Sequence, residues 1–220
     1  MNKLILVRHG QSIYNLENKF TGWKDVDLTD KGRNEALYAV ELLRNIDISM
    51  AYISNLIRAQ DTLEIILDGL NLNIPIIKDE RLNERDYGDL IGQNKKEAAI
   101  KFGEDQVQIW RRSYNVPPPG GESLEMTYNR CIPYFKKHIL SDLRSNNIII
   151  SAHGNSIRAI VKYILNLSSD LILETEIGWC EPWIFTFDSN DIVSLDILYN
   201  KQLGSNSHLP IEFKCTTVEI

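Results

Sequence analysis

Two of the four histidines occupy equivalent places in the chain, where they could do chemistry together. His9 follows the apolar run at residues 3–7 and precedes Gly10, and His153 follows the run at 147–152 and precedes Gly154. Each run is typical of a strand buried on both faces of a parallel sheet. Ligands bind at the carboxyl ends of such strands, so we expect the two imidazoles to meet in one cleft. The alternative is that each histidine only satisfies a hydrogen bond in its turn.

Arginines are predicted at the same edge of the sheet. Arg8 precedes His9, Arg58 follows a weaker apolar run at 50–53, and Arg111 and Arg112 are adjacent. Guanidinium groups suit phosphate oxygens, each charge-assisted hydrogen bond contributing roughly 1.5–3 kcal/mol. A single arginine is more often a solvated surface charge, so the pair at 111–112 alone is weak support.

A histidine in a positive cleft predicts phosphoryl transfer. Its neutral ring nitrogen can attack phosphorus, while a second histidine and arginines stabilise the charge on the transferring oxygens. The sequence has no Gly-rich phosphate-binding loop of the Walker type, no clustered carboxylates and no metal-ligand spacing of His and Cys. We therefore expect a phosphohistidine intermediate and no metal.

The elements that position these residues alternate between strand and helix. Helices are predicted from the cap Thr29, over 59–70, from the cap Ser123 with a break at Pro133, and over 156–167. Residues 183–187 and 192–196 read as a hairpin. The fold class is therefore α/β, a doubly wound, mostly parallel sheet with helices on both faces and one antiparallel edge strand.

Composition narrows the class of protein further. The 220-residue chain is 43% hydrophobic and 25% charged, which is ordinary for one globular domain. Its net charge of −6 disfavours nucleic acid and anionic membranes as partners. There is no apolar run of spanning length and no signal pattern, and Cys131, Cys180 and Cys215 show no disulfide or metal spacing. We expect a cytoplasmic protein.

An ordered series of motifs resembles the histidine phosphatase superfamily. It contains LVRHGQS at 6–12, FTGWKDVDLT at 20–29, RLNERDYG at 81–88, GQNK at 92–95, IWRRSY at 109–114, PPP at 117–119 and HGNSIR at 153–158. Together they resemble the 2,3-bisphosphoglycerate-dependent phosphoglycerate mutases, in a short form because Gly120 directly follows the triple proline. The resemblance implies a catalytic domain over 1–203, whereas residues 204–220 do not resemble the mobile tail of the longer members and form a C-terminal tail of unknown role.

The resemblance also implies an activity. It is the interconversion of 2-phosphoglycerate and 3-phosphoglycerate in glycolysis and gluconeogenesis, primed by 2,3-bisphosphoglycerate, in a homo-oligomer (dimer or tetramer). The partner is then a small phosphorylated sugar acid. One alternative is a phosphatase that uses water as the acceptor. Another is a binding protein that has lost its activity, which should lack His9, His153 or Arg58, yet all three are present.

The resemblance assigns a role to each matching residue. His9 is the phosphorylated nucleophile, Arg8, Arg58 and His153 hold the phosphoryl group, and Glu84 is the general acid and base. Glu84 has an ordinary alternative, a carboxylate that caps a helix or pairs with Arg81 or Arg85. The substrate-binding set is Gly10, Gln11, Ser12, Asn15, Thr21, Gly22, Arg85, Tyr87, Lys95, Arg111, Arg112, Gly154 and Asn155.

One segment departs from the family pattern. Residues 176–182 read EIGWCEP where relatives carry a small Pro-Thr-Gly-Val-Pro-like stretch. A carboxylate pointing into the cleft would repel a phosphoryl oxygen about 5 Å away by about 3 kcal/mol at a dielectric of 20. Because the arginine set is intact, we expect Glu181 to turn to solvent and Trp179 to pack against the sheet.

Overall fold

A computed structural model describes residues 1–202, residues 204–213 and the backbone of residues 216–217. Its strands are β1 (Asn2–Arg8), β2 (Met50–Ile53), β3 (Ile76–Lys78), β4 (Ile148–Ala152), β5 (Trp183–Asp188), β6 (Asp191–Ile197) and β7 (Thr216–Thr217). Cys215 lies outside the described residues, while Cys131 and Cys180 are buried free thiols.

The strands form one mixed sheet in the order β3-β2-β4-β1-β5-β6-β7. β1 pairs in parallel with β4, β4 with β2, and β2 with β3. β5 pairs antiparallel with β1, and the hairpin then continues the antiparallel edge through β6 to β7. The predicted fold class is confirmed, with an antiparallel edge that extends beyond one strand.

Helices fill both faces of the sheet. They are α1 (Ile13–Leu16), α2 (Asp30–Leu43), α3 (Ile57–Gly69), α4 (Lys95–Phe102), α5 (Glu104–Arg112), α6 (Leu124–Tyr134), α7 (Leu140–Leu143), α8 (Gly154–Ile164) and α9 (Ser169–Glu174). Within the part of the chain that the structure describes, no helix is long and apolar enough to cross a membrane.

Strand β1 lies at the centre of the core because its side chains alternate between two apolar clusters. Leu4 and Leu6 pack with residues of α6 and α8 on one face, and Ile5 and Val7 pack with residues of α2 and α3 on the other. All four are fully buried. This explains why these four positions are continuously apolar, as predicted for a strand covered on both faces.

Capping side chains and a proline set several helix boundaries, and the sequence predicts only some of them. Thr29 caps α2 by accepting from Gly32 N at 3.0 Å, and Ser123 caps α6 by accepting from Met126 N at 3.1 Å, as predicted. After Pro133, the helix passes into a π-helical turn over Phe135–Ile139, since a proline has no N–H to donate. α3 and α8 begin two residues earlier than predicted, so α8 starts directly after His153.

Candidate active site

His9 sits at the carboxyl end of β1 with its tautomer set by the backbone. Its Nδ1 is 2.6 Å from the Gly10 carbonyl oxygen, which can only accept, so Nδ1 carries the proton and Nε2 is left with a lone pair. Burial, followed by the charges of Arg58 and Arg8, lowers the pKa of His9 well below its ordinary value of 6.5. The ring is therefore a neutral nucleophile at physiological pH.

Gly10 supports this turn without lining the cleft. A Cβ at this position would lie 2.2 Å from the Gly32 carbonyl oxygen, so only glycine lets α2 approach so closely. Its amide donates to Thr62 Oγ1 at 3.1 Å. Gly10 thus has a supporting role in the fold, and its part in substrate binding stays a prediction.

His153 approaches His9 from the end of β4, as predicted. The ring centroids are 5.0 Å apart. His153 Nε2 is hydrogen-bonded to Ser54 Oγ at 2.7 Å, whereas Nδ1 is buried with no partner among the described residues. Burial, Arg58 and His9 together lower its pKa well below 6.5. Ser54 was not predicted, although it directly follows β2 and thus ends a third strand at this edge.

Two buried arginines flank His9. Arg58 Nε donates to His9 Nε2 at 3.3 Å, and its other nitrogens donate to the carbonyl oxygens of Lys24 (3.0 Å) and Gly22 (2.9 Å). Burial lowers the pKa of Arg58 to about 10, which leaves it charged at neutral pH. Arg8 Nη1 donates to the Ile177 carbonyl at 2.8 Å, while its Nε is buried without a partner in the described chain.

Glu84 lies across the cleft with one oxygen held and one free. Its Oε1 accepts from Arg85 N at 2.7 Å and from Asn155 N, in the first turn of α8, at 3.1 Å. Its Oε2 has no hydrogen-bond partner among the described residues. The salt-bridge alternative is wrong, since Arg81 pairs with Asp79 and Arg85 donates to the Tyr87 hydroxyl. The helix-capping contact does exist, and it positions the carboxylate towards the cleft.

A single cleft gathers most of the predicted residues. Its lining includes Arg8, His9, Asn15, Thr21, Gly22, Arg58, Glu84, Tyr87, Lys95, Arg111, Arg112, Gly154 and Asn155. It also includes Lys19, Phe20, Arg158 and Glu176, which the sequence analysis missed. Lys19 and Phe20 directly precede the predicted Thr21, and Arg158 lies one helical turn after Gly154, so position alone could have suggested these three.

Several predicted residues stand behind the cleft instead. Ser12 caps α1 in a reciprocal contact with Asn15. The backbone N–H of Gln11 donates to the Glu35 carboxylate, and the backbone carbonyl oxygen of Gln11 accepts from Thr29 N at 2.9 Å. Arg85 is buried and donates to the Tyr87 hydroxyl at 2.7 Å. These three residues make contacts within the protein and do not line the cleft, and their direct binding of substrate stays a prediction.

The far end of the cleft is positively charged despite the net negative chain. Glu176 bridges Arg112 (2.6 Å) and Arg158 (2.5 Å). Burial alone would raise the pKa of Glu176, but Arg158 and Arg112 outweigh it and hold the pKa below its usual value. Neither Arg111 nor Lys95 forms an ion pair with any described residue, and burial lowers the pKa of both side chains. These two cations are therefore available to an anionic ligand.

The unusual segment around Trp179 corrects one expectation. Glu181 is only 6% exposed, and it accepts hydrogen bonds from Ser205 Oγ, Asn206 N and Ser207 N at 2.7, 2.7 and 2.9 Å. It avoids the cleft as expected, but the prediction that it faces solvent is wrong, because distant residues supply its donors. Trp179 bridges to the end of β1, and its ring lies 5.3 Å from the Arg8 guanidinium carbon, so it packs at the sheet as expected.

The described residues show no group of three His, Cys, Asp or Glu side chains arranged to hold a metal ion.

The histidine phosphatase superfamily (branch 1) matches residues 4–197. A 2,3-bisphosphoglycerate-dependent phosphoglycerate mutase of Nitrobacter winogradskyi is 50% identical over 195 residues, covering 87% of this chain and 94% of the relative. A 2,3-bisphosphoglycerate-dependent phosphoglycerate mutase 2 of Gloeobacter violaceus is 47% identical over 196 residues, covering 88% of this chain and 90% of the relative.

Two solved structures show the same fold. A mycobacterial glucosyl-3-phosphoglycerate phosphatase in complex with VO3 superposes with a TM-score of 0.74 and 25% identity, over 84% of this chain and 91% of that one. Bacillus stearothermophilus YhfR superposes with a TM-score of 0.78 and 24% identity, over 90% of this chain and 95% of that one. At that identity, the second likeness concerns the fold alone.

Proposed function

The chain belongs to the histidine phosphatase superfamily, and on this premise we propose that it interconverts 2-phosphoglycerate and 3-phosphoglycerate as a 2,3-bisphosphoglycerate-dependent mutase. This isomerisation is a step of glycolysis and gluconeogenesis. The observation that carries the proposal is the neutral Nε2 of His9 in a cleft shared with Glu84 and with the distal cations Lys95 and Arg111. The relatives at 47–50% identity carry the mutase name.

The phosphoryl group fits the inner end of the cleft. Arg8 Nε and His153 Nδ1 are buried without partners in the described chain, which is costly unless a ligand completes their hydrogen bonding. Both lie on residues that flank His9. A phosphoryl group at His9 Nε2 would supply the missing oxygens, and Arg58 would neutralise part of their charge.

Each half-reaction needs a nucleophile and a proton carrier. On the primed enzyme, the free hydroxyl of the bound monophosphate attacks phosphorus as the N–P bond at His9 Nε2 breaks, and Glu84 takes the hydroxyl proton. In the return step, His9 Nε2 forms the N–P bond to the other phosphoryl group of the resulting bisphosphate while its P–O bond breaks, and Glu84 gives the proton to the leaving alkoxide. The cycle ends with His9 phosphorylated again, so the phosphoryl group, the proton and the charge balance. Bound 2,3-bisphosphoglycerate supplies the phosphoryl group that primes His9.

The remaining residues bind the substrate in this proposal. Asn15, Thr21, Gly22, Tyr87, Arg112, Gly154 and Asn155 line the cleft with Lys95 and Arg111 and would bind the carboxylate and phosphate. The amides of Gly154 and Asn155 begin α8, where a helix favours anions. Glu84 already accepts from Asn155 N, however, so on that side the contribution is mainly the helix dipole.

The wider setting is also proposed from the family. We propose that residues 1–203 form one catalytic domain, that the enzyme works in the cytoplasm, and that it is a homo-oligomer, a dimer or tetramer as relatives commonly are. Sedimentation velocity measures the oligomeric state. No metal is needed for the steps above, because the arginines provide the positive charge.

The experiment that tests the function compares two rates on one preparation. Formation of 2-phosphoglycerate from 3-phosphoglycerate is measured with and without catalytic 2,3-bisphosphoglycerate, beside release of inorganic phosphate. A mutase gives isomerisation that depends on the primer and is faster than phosphate release. Phosphate release without isomerisation would instead identify a phosphatase, the alternative that the mycobacterial structure favours.

A further inference from the structure

Residues 175–181, called here the site wall, contact three arginines of the cleft. Arg158 Nε donates to the Thr175 carbonyl at 2.6 Å, and the Glu176 carboxylate bridges Arg158 and Arg112. Arg8 donates to the Ile177 carbonyl at 2.8 Å, and its own carbonyl accepts from Cys180 N at 2.9 Å. The positions of these guanidinium groups therefore depend on where the wall lies.

The outer side of the site wall is held by residues 205–208. Glu176 and His208 exchange both backbone hydrogen bonds at 2.9 Å. Gly178 N donates to Ser207 Oγ at 2.9 Å, and Trp183 Nε1 donates to the same oxygen at 3.1 Å. The wall thus lies between the substrate arginines on one side and this C-terminal segment on the other.

Glu181 joins the two segments. Both of its oxygens are filled by donors from residues 205–207, and it is almost fully buried. Gly178 makes room for this contact, since a Cβ there would lie 2.3 Å from the Glu181 carboxyl carbon. Hydrogen bonds to an ionised carboxylate are the stronger kind, and removing one partner of a buried set leaves the others unsatisfied.

We propose that Glu181 is a positioning residue for substrate binding, which fixes residues 205–208 against the site wall and thereby orients Arg8, Arg112 and Arg158. Glu181 does not touch the cleft, so its effect passes through the wall. The inference rests on the proposed function only for its kinetic readout.

The test is Glu181→Gln in the full chain. The amide keeps the size of the side chain but turns one acceptor into a donor that faces the donors of residues 205–207. We expect the KM for 3-phosphoglycerate and its Kd by calorimetry to rise about tenfold, with kcat changed less than about threefold. A purely structural role would lower the folded fraction, and hence kcat, without moving KM.

Matched variants complete the design. Glu174→Gln makes the same change on an exposed residue at the end of α9 and should leave KM, Kd and kcat at wild-type values. Ser205→Ala removes one donor to Glu181 with little risk to folding, and it should raise Kd in the same direction by a smaller factor. It carries the test if Glu181→Gln does not fold.

The outcomes separate the two proposals. Folded Glu181→Gln and Ser205→Ala proteins with KM and Kd within twofold of wild type would overturn the positioning role. A wild-type protein without mutase turnover would overturn the proposed function, while a raised Kd in the variants would still support positioning of the arginines.

Discussion

The free oxygen of Glu84 leads to a specific expectation for Glu84→Gln. Oε1 accepts two backbone N–H groups, from Arg85 and Asn155, so the amide oxygen of glutamine must take that place. The opposite rotamer would direct an NH2 group at two donors. The NH2 group therefore replaces Oε2, where it can neither take nor give the proton of a substrate hydroxyl.

The cost should fall on proton transfer alone. Positioned acid–base groups contribute typically about 10²–10⁴-fold, so mutase turnover should fall by that factor. This corresponds to about 2.7–5.4 kcal/mol of activation free energy at 1.36 kcal/mol per tenfold change. Stability should change little, because both backbone hydrogen bonds to the side chain remain.

A donor that needs no proton provides the decisive comparison. p-Nitrophenyl phosphate loses a stable phenolate, so the burst of nitrophenolate that accompanies phosphorylation of His9 should persist in Glu84→Gln while mutase turnover collapses. Glu80→Gln, at an exposed carboxylate nearby, should leave both unchanged. The assignment of Glu84 fails if the variant keeps turnover near wild type. It also fails if the burst is lost along with turnover, since the residue would then be structural.

Three further outcomes are expected. His9→Ala should abolish mutase activity and the uptake of label from radiolabelled 2,3-bisphosphoglycerate. The labelled wild-type adduct should be labile in acid and stable in alkali. Label that survives in the variant would contradict the assignment of His9 as the nucleophile. The pKa values of His9 and His153 lie well below 6.5 in the fold, mainly through burial, while the unfolded chain titrates near about 6.5. The unfolded state thus binds more protons below pH 6.5, and the free energy of unfolding by urea should decrease as the pH falls from there, not increase. Burial raises the pKa of Cys131 to about 12 and that of Cys180 well above its ordinary value, so peptide mapping should find both thiols unlabelled by iodoacetamide in the native protein at pH 8 and labelled after unfolding.

The sequence predicts the sheet well because the burial of its strands is a local property. Residues 4–7 and 148–150 are apolar at every position, and β1 and β4 are covered on both faces. The hairpin of β5 and β6 likewise has its turn residues between two strand patterns. The π-helical turn after Pro133 is less predictable, since proline tells where the α-helical bonding fails but not which bonding replaces it.

The site is predictable where its residues follow strands. His9 directly follows β1 and His153 directly follows β4, whereas Arg58 lies in the first turn of α3, after β2. A parallel sheet brings the carboxyl ends of these strands together. Glu176 has no such signal. It enters the cleft because a backbone pairing with His208 holds its segment in place, and that pairing joins residues far apart in sequence. Gln11, Ser12 and Arg85 are also given roles by the family resemblance, but they do not line the cleft, and each makes contacts within the protein.

Two buried glutamates show what decides the role of a carboxylate in this fold. Glu84 and Glu181 are both below 10% exposure, and both accept backbone N–H groups. Glu181 has donors on each oxygen, so protonating it would break hydrogen bonds and it is suited to holding chain segments together. Glu84 has its donors on Oε1 only, which leaves Oε2 without a hydrogen-bond partner among the described residues and open to a substrate hydroxyl. Substitution by glutamine should therefore act on turnover at position 84 and on affinity at position 181. The number of carboxylate oxygens that accept hydrogen bonds from the protein thus separates a proton carrier from a positioning residue. No local sequence pattern indicates this number.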